Sequence, residues 1–328
     1  MTRHPMTVLM IGDVVGEAGL RALETGLPRL IARHRANFVI VNGENAVEGY
    51  GLNGPALERI IAAGADIVTS GNHVWEKGEF WEILERHTAY GGQVMRGDVS
   101  PLAPARSPVE RPEPQGASAP LILRPANYPA PAPGAGAALL EKNGKHLLVI
   151  NLQGREYMTA IDCPFQMADT LIGANPGVPA VIDFHAESPA EKEALGLYLD
   201  GMASIVAGTH THVQTADAKI LPGGTAYITD LGMTGPTDGV IGMDAEICLA
   251  RVKTQVLYRM RCADGPCAVQ GIAVTFDIND TNGETNADSE NRDGHPASSA
   301  LSIETLWLDV DMNTIEENVH TNTHENRP

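Results

Sequence analysis

Short apolar runs alternate with amphipathic stretches along most of the chain. Thr7–Ile11 has the length and continuity of a buried strand, and Glu17–Arg35 places Leu20, Leu23, Leu27, Leu30 and Ile31 on one helical face. Strand Phe38–Val41, helix Pro55–Ala63, strand Asp66–Thr69 and helix Glu76–Arg86 are predicted to follow. The pattern resumes with strands Leu147–Asn151 and Ala180–Phe184, helix Pro189–Asp200 and strand Ser204–Val206. Strands spaced by helical segments indicate βαβ units and a mainly parallel sheet, hence an α/β protein. Beyond Gly224, helix Asp244–Val252 is set among the strand-like stretches Ala226–Thr229, Thr254–Met260 and Ala268–Asp277, and Leu301–Val310 reads as a last strand.

Two stretches interrupt this order. Gly91–Pro120 repeats Ser-Pro, Arg-Pro and Glu-Pro pairs, and residues 100–120 read as a flexible insertion. Asn279–Ser299 is polar and rich in Asn, Asp and Glu, so residues 279–299 read as a disordered insertion, and the tail 313–328 reads the same way. No internal repeat is visible.

Composition narrows the classes. Apolar residues make up 43% of the 328, enough for a sizeable core, which excludes a wholly disordered chain. With 23 Lys and Arg against 41 Asp and Glu, the net charge of −18 repels polyanions and anionic membranes. No nucleic-acid polymer or membrane partner is expected; a small phosphate ligand stays open, as does a homo-oligomer. The five-residue apolar run before Asp13 is too short for a signal peptide, and no stretch is long enough to span a bilayer. The expected location is cytoplasmic, with Cys163, Cys248, Cys262 and Cys267 as reduced thiols. A bridge between Cys262 and Cys267, which flank a turn, is the minor alternative.

Five short motifs sit directly after predicted strands, where open α/β sheets place ligands. They are Gly12-Asp13, Asn42-Gly-Glu-Asn45, Gly71-Asn-His73, Asp183-Phe-His-Ala-Glu187 and Gly208-Thr-His-Thr-His212. Singly, each has an ordinary reading: Gly-Asp and Asn-Gly are turns, and a lone buried His is commonly a hydrogen-bonded core residue. The His-x-His pair is stronger, because alternation in an extended segment points both rings to one side. Jointly they supply Asp13, Glu44, Asn45, Asn72, His185, His210 and His212, oxygen and imidazole donors without thiolate. Such a set suits iron, manganese or zinc and is too large for one structural zinc, so a dinuclear metal site is expected. The remaining histidines, His4, His34, His87, His146, His295, His320 and His324, are expected to be solvated. Asn45–Gly51 lacks the Gly-Lys-Ser/Thr ending of a triphosphate-binding loop. Arg124 and Arg155 could reach a phosphate, although a structural or surface role is the commoner one for such residues.

Ile11-Gly-Asp-Val-Val-Gly16, Asn42-Gly-Glu-Asn-Ala46, Gly71-Asn-His73, Asn151-Leu-Gln-Gly-Arg155, Asp183-Phe-His-Ala-Glu187, Gly208–Asp217 and Thr229–Pro236 together resemble the YmdB family. That family is a bacterial branch of the calcineurin-like metallophosphoesterases, and the resemblance covers roughly residues 6–278. Val15 stands where the superfamily's Gly-Asp-x-His has His, Glu44-Asn45 replace an Asp and its followers, and Val74 replaces an acid after His73. These departures are those of the YmdB variant.

The resemblance implies a four-layer α/β/β/α sandwich forming a single domain over 1–328, with core 6–278 and final strand 301–310. It implies two iron ions, replaceable by manganese. Asp13, Asn45 and His212 would hold the first ion and Asn72, His185 and His210 the second, with Glu44 bridging them and His73 as proton donor. The implied reaction is hydrolysis of 2′,3′-cyclic nucleotides such as 2′,3′-cAMP to 3′-nucleotides by a hydroxide shared between the metals. A regulatory nucleotide- or partner-binding module with little turnover and a phosphoprotein phosphatase are the alternatives.

Overall fold

Successive residues of the central strands are buried on opposite faces, so every such strand is covered on both sides. The computed structural model describes residues 4–78, 80–87, 94–95, 121–278, 298–310 and 319–325. The first part of the chain gives β1 (His4–Ile11), β2 (Asp13–Val14), α1 (Gly16–His34), β3 (Phe38–Asn42), α2 (Gly54–Ala62), β4 (Ile67–Thr69) and α3 (Phe80–His87). The middle gives β5 (Val94–Met95), β6 (Leu121–Ile122), β7 (Ala137–Lys142), β8 (Lys145–Gln153), α4 (Pro164–Gly173), β9 (Ala180–His185), α5 (Pro189–Tyr198) and β10 (Ile205–Thr209). The remainder gives β11 (Lys219–Ile220), β12 (Ala226–Ile228), β13 (Met233–Pro236), α6 (Ala245–Thr254), β14 (Cys267–Ile278), β15 (Ser298–Val310) and β16 (Val319–Glu325).

One sheet runs β16-β15-β14-β1-β3-β4-β6, with β13 bridging β14 and β2. The other runs β11-β12-β10-β9-β8-β7-β5. Among the described strands, β1-β3-β4-β6, β13-β2 and β8-β9-β10-β12 pair in parallel, and the flanks are antiparallel. The expected mainly parallel sheet is thus two mixed sheets.

The layers follow from the side chains. Met6, Val8, Met10, Phe38, Ile40, Val274 and Phe276 of the first sheet meet Leu147, Val149, Val181, Ile205 and Ala207 of the second. On the first sheet's outer face, Leu20, Leu23, Leu27 and Leu30 of α1 and Leu57 and Ile60 of α2 cover Leu9, Ile11, Val39 and Val41. On the second sheet's outer face, Ala168 and Leu171 of α4 and Leu195 of α5 cover Ile150, Ile182 and Phe184. The order is α/β/β/α. Each fully buried Leu or Ile here contributes about 1.5–3 kcal/mol relative to exposure.

Several expectations change. Thr254–Met260 is not a strand: α6 runs through Thr254, Gln255 turns left-handed at φ 59, and Val256 and Leu257 stand exposed. The expected helix Glu76–Arg86 begins only at Phe80, after the 3-10 turn Asn72–Trp75. The last strand starts at Ser298, inside the expected insertion, and Val319–Glu325 of the expected disordered tail pairs with β15, whose edge supplies the hydrogen-bonding partners. His34 is not solvated; its side chain is 10% exposed and packs 3.8 Å from Glu304. Residues 96–120 and 279–297 lie outside the described residues. All four cysteines are free thiols, and among the described residues no helix is long and apolar enough to cross a membrane.

Candidate metal centre

All eight proposed site residues come from strand ends, and the two sheets bring them to one crevice. Asp13 opens β2, Glu44 and Asn45 follow β3, and Asn72 and His73 lie in the turn after β4. From the second sheet His185 ends β9 and His210 and His212 follow β10, with His185 paired in register to Thr209. Gly71 permits the approach of the two sheets here: a Cβ on it would lie 2.1 Å from His185 Cδ2 and 2.3 Å from Glu44 Oε2.

The side chains fall into two groups around Glu44. In the first, Asn45 Nδ2 is 3.1 Å from His212 Nε2 and 3.5 Å from Asp13 Oδ1, and His212 Nε2 is 3.8 Å from Asp13 Oδ1. In the second, His185 Nε2 is 3.1 Å from Asn72 Oδ1 and 3.0 Å from His210 Nδ1. Glu44 Oε1 touches both, 3.3 Å from Asn45 Nδ2 and 2.9 Å from His185 Nε2. His73 stands apart: its backbone N–H donates to Glu44 Oε2 at 3.3 Å, while its ring, 30% exposed, turns towards Glu76.

Each imidazole has its other nitrogen engaged, which sets its orientation. Thr209 Oγ1 donates to Asp183 Oδ1 at 2.6 Å, so it accepts from His185 Nδ1–H at 2.9 Å. His212 Nδ1–H donates to the Ile241 carbonyl at 2.9 Å, and His210 Nε2–H donates to Glu187 Oε2 at 3.0 Å. His210 and His212 sit at φ 100 and 64, unusual for non-glycine residues, and strain of this kind gathers at functional sites. Between them Thr211 is held through its N–H and hydroxyl by Asp230, itself paired with buried Lys192 at 2.7 Å.

Electrostatics among these side chains follow from burial and crowding. Burial pushes the Asp13 carboxyl up to about 6 against the opposing pull of His212 and His185. Burial also acts to raise Glu44, but the charge and hydrogen bond of His185 outweigh it and hold Glu44 at about 2. Burial acts to lower His185, yet Glu44, Asp13 and Asp183 raise it to about 9. Burial and the neighbouring His185 charge together depress His210 to about 3.

The residues fit metal ions. His185 Nε2 faces three partners with at most one proton, Asn45 Oδ1 is buried without a hydrogen-bond partner, and Glu44, His185 and His210 bring ligand atoms within 4.8 Å of one another. A cavity of about 340 Å³ opens beside them, lined by His73, Glu187, His210 and His212 and by Tyr50, Ile241, Met243 and Met260. Arg124 directs its donors to the carbonyls of Pro125, Ala126, Ala132 and Pro133, so its role is structural. The sequence motifs contain Asp183, Glu187 and Asp230 but assign them no function, and Tyr50 lies in the Asn45–Gly51 stretch without a role; Lys192 and Ile241 carry no local signal.

The fold has counterparts. A crystal structure of a novel phosphatase from Mycoplasma pneumoniae superposes with a TM-score of 0.75 at 25% identity, covering 95% of this chain and 96% of that one. A crystal structure of a hypothetical protein from Thermus thermophilus superposes with a TM-score of 0.70 at 36% identity, covering 90% of this chain and 98% of that one. A Bacillus subtilis (strain 168) protein named 2′,3′-cyclic-nucleotide 2′-phosphodiesterase is 43% identical over 274 residues, 83% of this chain and 92% of its own length. The class so defined is a hydrolytic enzyme of the phosphoesterase kind. Residues 9–95 and 115–287 match the YmdB-like protein family, and the chain belongs to it.

Proposed function

We propose that this enzyme hydrolyses 2′,3′-cyclic nucleotides such as 2′,3′-cAMP to 3′-nucleotides, with two iron ions, replaceable by manganese, as cofactors. The observation that carries the reading is the division of the ligand atoms into two groups sharing Glu44, whose Oε1 is 2.9 Å from His185 Nε2 and 3.3 Å from Asn45 Nδ2. Asp13, Asn45 and His212 would hold one ion, and Asn72, His185 and His210 the other. Bound there, the ions would supply Lewis-acid charge to the phosphate oxygens and lower the pKa of water. The name of the Bacillus subtilis relative supports the substrate class.

The chain's own residues do the rest. Water adds to phosphorus as the bond to O2′ breaks, and the departing alkoxide needs a proton. His73 lines the cavity with an accessible ring, and its backbone N–H on Glu44 fixes the turn that carries it. Its imidazole would give that proton. Glu187 and Ile241 orient His210 and His212. The enzyme would act in the cytoplasm on this small-molecule partner, where its cysteines stay free thiols.

Product analysis with 2′,3′-cAMP, run beside elemental analysis, tests this. The expected result is 3′-AMP from protein carrying two ions per chain, with both ions and turnover lost in Glu44→Gln. A fully loaded protein that binds nucleotide but turns over neither 2′,3′-cAMP nor bis-p-nitrophenyl phosphate would be a regulatory module instead. Release of 2′-AMP would overturn the bond assignment.

A further inference from the structure

The two sides of the cavity differ in chemistry. His73, His210 and His212 form the polar side, whereas Tyr50, Ile241, Met243 and Met260 form an apolar side with no charged side chain among them. Resting on the phosphodiesterase reading, we infer that this apolar side is a subsite for a planar heteroaromatic base, so that the enzyme selects nucleoside cyclic phosphates over base-free cyclic phosphodiesters.

Three features make this side a platform and not incidental surface. The Tyr50 ring stands edge-on to the His73 imidazole, with centroids 5.8 Å apart and planes at 62°, which fixes the aromatic beside the proton donor. Met243 lies against Gly49, where a Cβ would come within 3.1 Å of both its Cε and Sδ. The thioether is therefore pressed along the backbone next to Tyr50, and sulfur contacts aromatic rings favourably. Finally, Ile241 is a β-branched residue at φ 49, a conformation such residues rarely adopt.

The strain at Ile241 has a visible use. A tight turn, in which Val240 N–H donates to Met243 O at 2.8 Å and Met243 N–H to Val240 O at 3.0 Å, holds it in place. The turn aims the Ile241 carbonyl at His212 Nδ1 and leaves the side chain 49% exposed at the cavity. One turn thus orients a ligand histidine and builds the apolar wall, which ties the base's position to that of the phosphate. The base is the flat, uncharged part of the substrate that this wall can cover. Glu187 is the other carboxylate besides Glu44 that lines the cavity, and no Lys or Arg lines it.

The experiment compares 2′,3′-cAMP with 1-O-methylribose 2′,3′-cyclic phosphate, which keeps the strained diester and lacks the base. Stacking should favour 2′,3′-cAMP by about 5- to 150-fold, mainly through KM. Tyr50→Ala and Met260→Ala should lower that ratio towards one at full metal content, while Tyr50→Phe should retain it. In calorimetry adenosine should bind the metal-loaded protein, and more weakly to the Tyr50→Ala variant. Equal KM for the two diesters in the wild type, or an undiminished preference in Tyr50→Ala, would overturn the subsite and leave the phosphodiesterase reading standing. Hydrolysis of neither diester would sink that reading, and the adenosine titration would then decide the subsite by itself.

Discussion

Glu44 Oε1 lies 2.9 Å from His185 Nε2, and neither side chain reaches solvent. The contact is an ion pair, because burial alone would lower His185 but Glu44 and the neighbouring carboxylates raise it to about 9. A histidine binds a metal only as the neutral ring. Metal uptake near neutral pH should therefore displace a proton from His185, and affinity should rise with pH until about 9. Stability changes in the opposite sense. His185 lies above its ordinary 6.5 and Glu44 below its ordinary 4.5, so the pair's contribution is complete between about 4.5 and 6.5, disappears as pH rises through about 9 and is lost as pH falls towards about 2. Indicator titration of metal-free protein checks this: no proton release on metal addition between pH about 6 and 8 would remove His185 from the ligand set.

Lys192 and Asp230 form a further buried ion pair, and Asp230 also grips Thr211 between the strained His210 and His212. Lys192→Met leaves the Asp230 carboxylate buried without its cation, which should destabilise the fold by about 3–5 kcal/mol in urea unfolding. Adding Asp230→Asn to that variant should recover part of the loss, because the stranded charge is gone. The single variant should also bind metal more weakly. Unchanged unfolding would show that Thr211 and Gly232 alone satisfy Asp230.

The parts of this arrangement differ in how plainly the sequence announces them. That the candidate site residues would meet was legible because each follows an apolar strand run, and strand C-termini in such sheets converge on one crevice. Helix α1 was legible from its leucine spacing. Helix α4 was not: its buried Pro164, Ala168 and Leu171 make too short a periodic stretch to stand out from the loops around it. The antiparallel flanks were also missed, because β7 and β13 show no alternation and are defined by their partners. Lys192 reads as one more charged residue on a solvated helix face. Only the fold reveals that it reaches Asp230 across 38 residues of chain. Ile241 was illegible for the same reason, since nothing local requires a β-branched residue to turn left-handed.

The paired ends of β14 and β15 make the connection between them a test of its own. Ile278 pairs directly with Ser298, and the Ser298 hydroxyl bonds to the hydroxyl of Ser204, the residue before β10. Two strands so aligned can be joined by a two-residue Asn-Gly turn. Replacing residues 279–297 with Asn-Gly should leave metal content and turnover within about threefold, as none of the eight site residues lies there. Failure of that variant to fold would show that the segment contributes to the core.

His73 separates proton donation from metal binding. Its neighbour Asn72 faces His185 at 3.1 Å, whereas the His73 ring lies beside Tyr50 and Glu76 on the cavity side. The 3-10 turn Asn72–Trp75 directs these consecutive side chains apart. His73→Gln keeps the approximate size and some hydrogen bonding but removes the transferable proton. Metal content should stay complete while turnover of 2′,3′-cAMP falls by about 10²–10⁴-fold, the usual contribution of a general acid. With a p-nitrophenyl ester the deficit should shrink, because that leaving group departs without a proton. Loss of an ion, or an equal slowing of both substrates, would make His73 a ligand or a phosphate clamp and leave the proton donor to be found among the other groups lining the cavity.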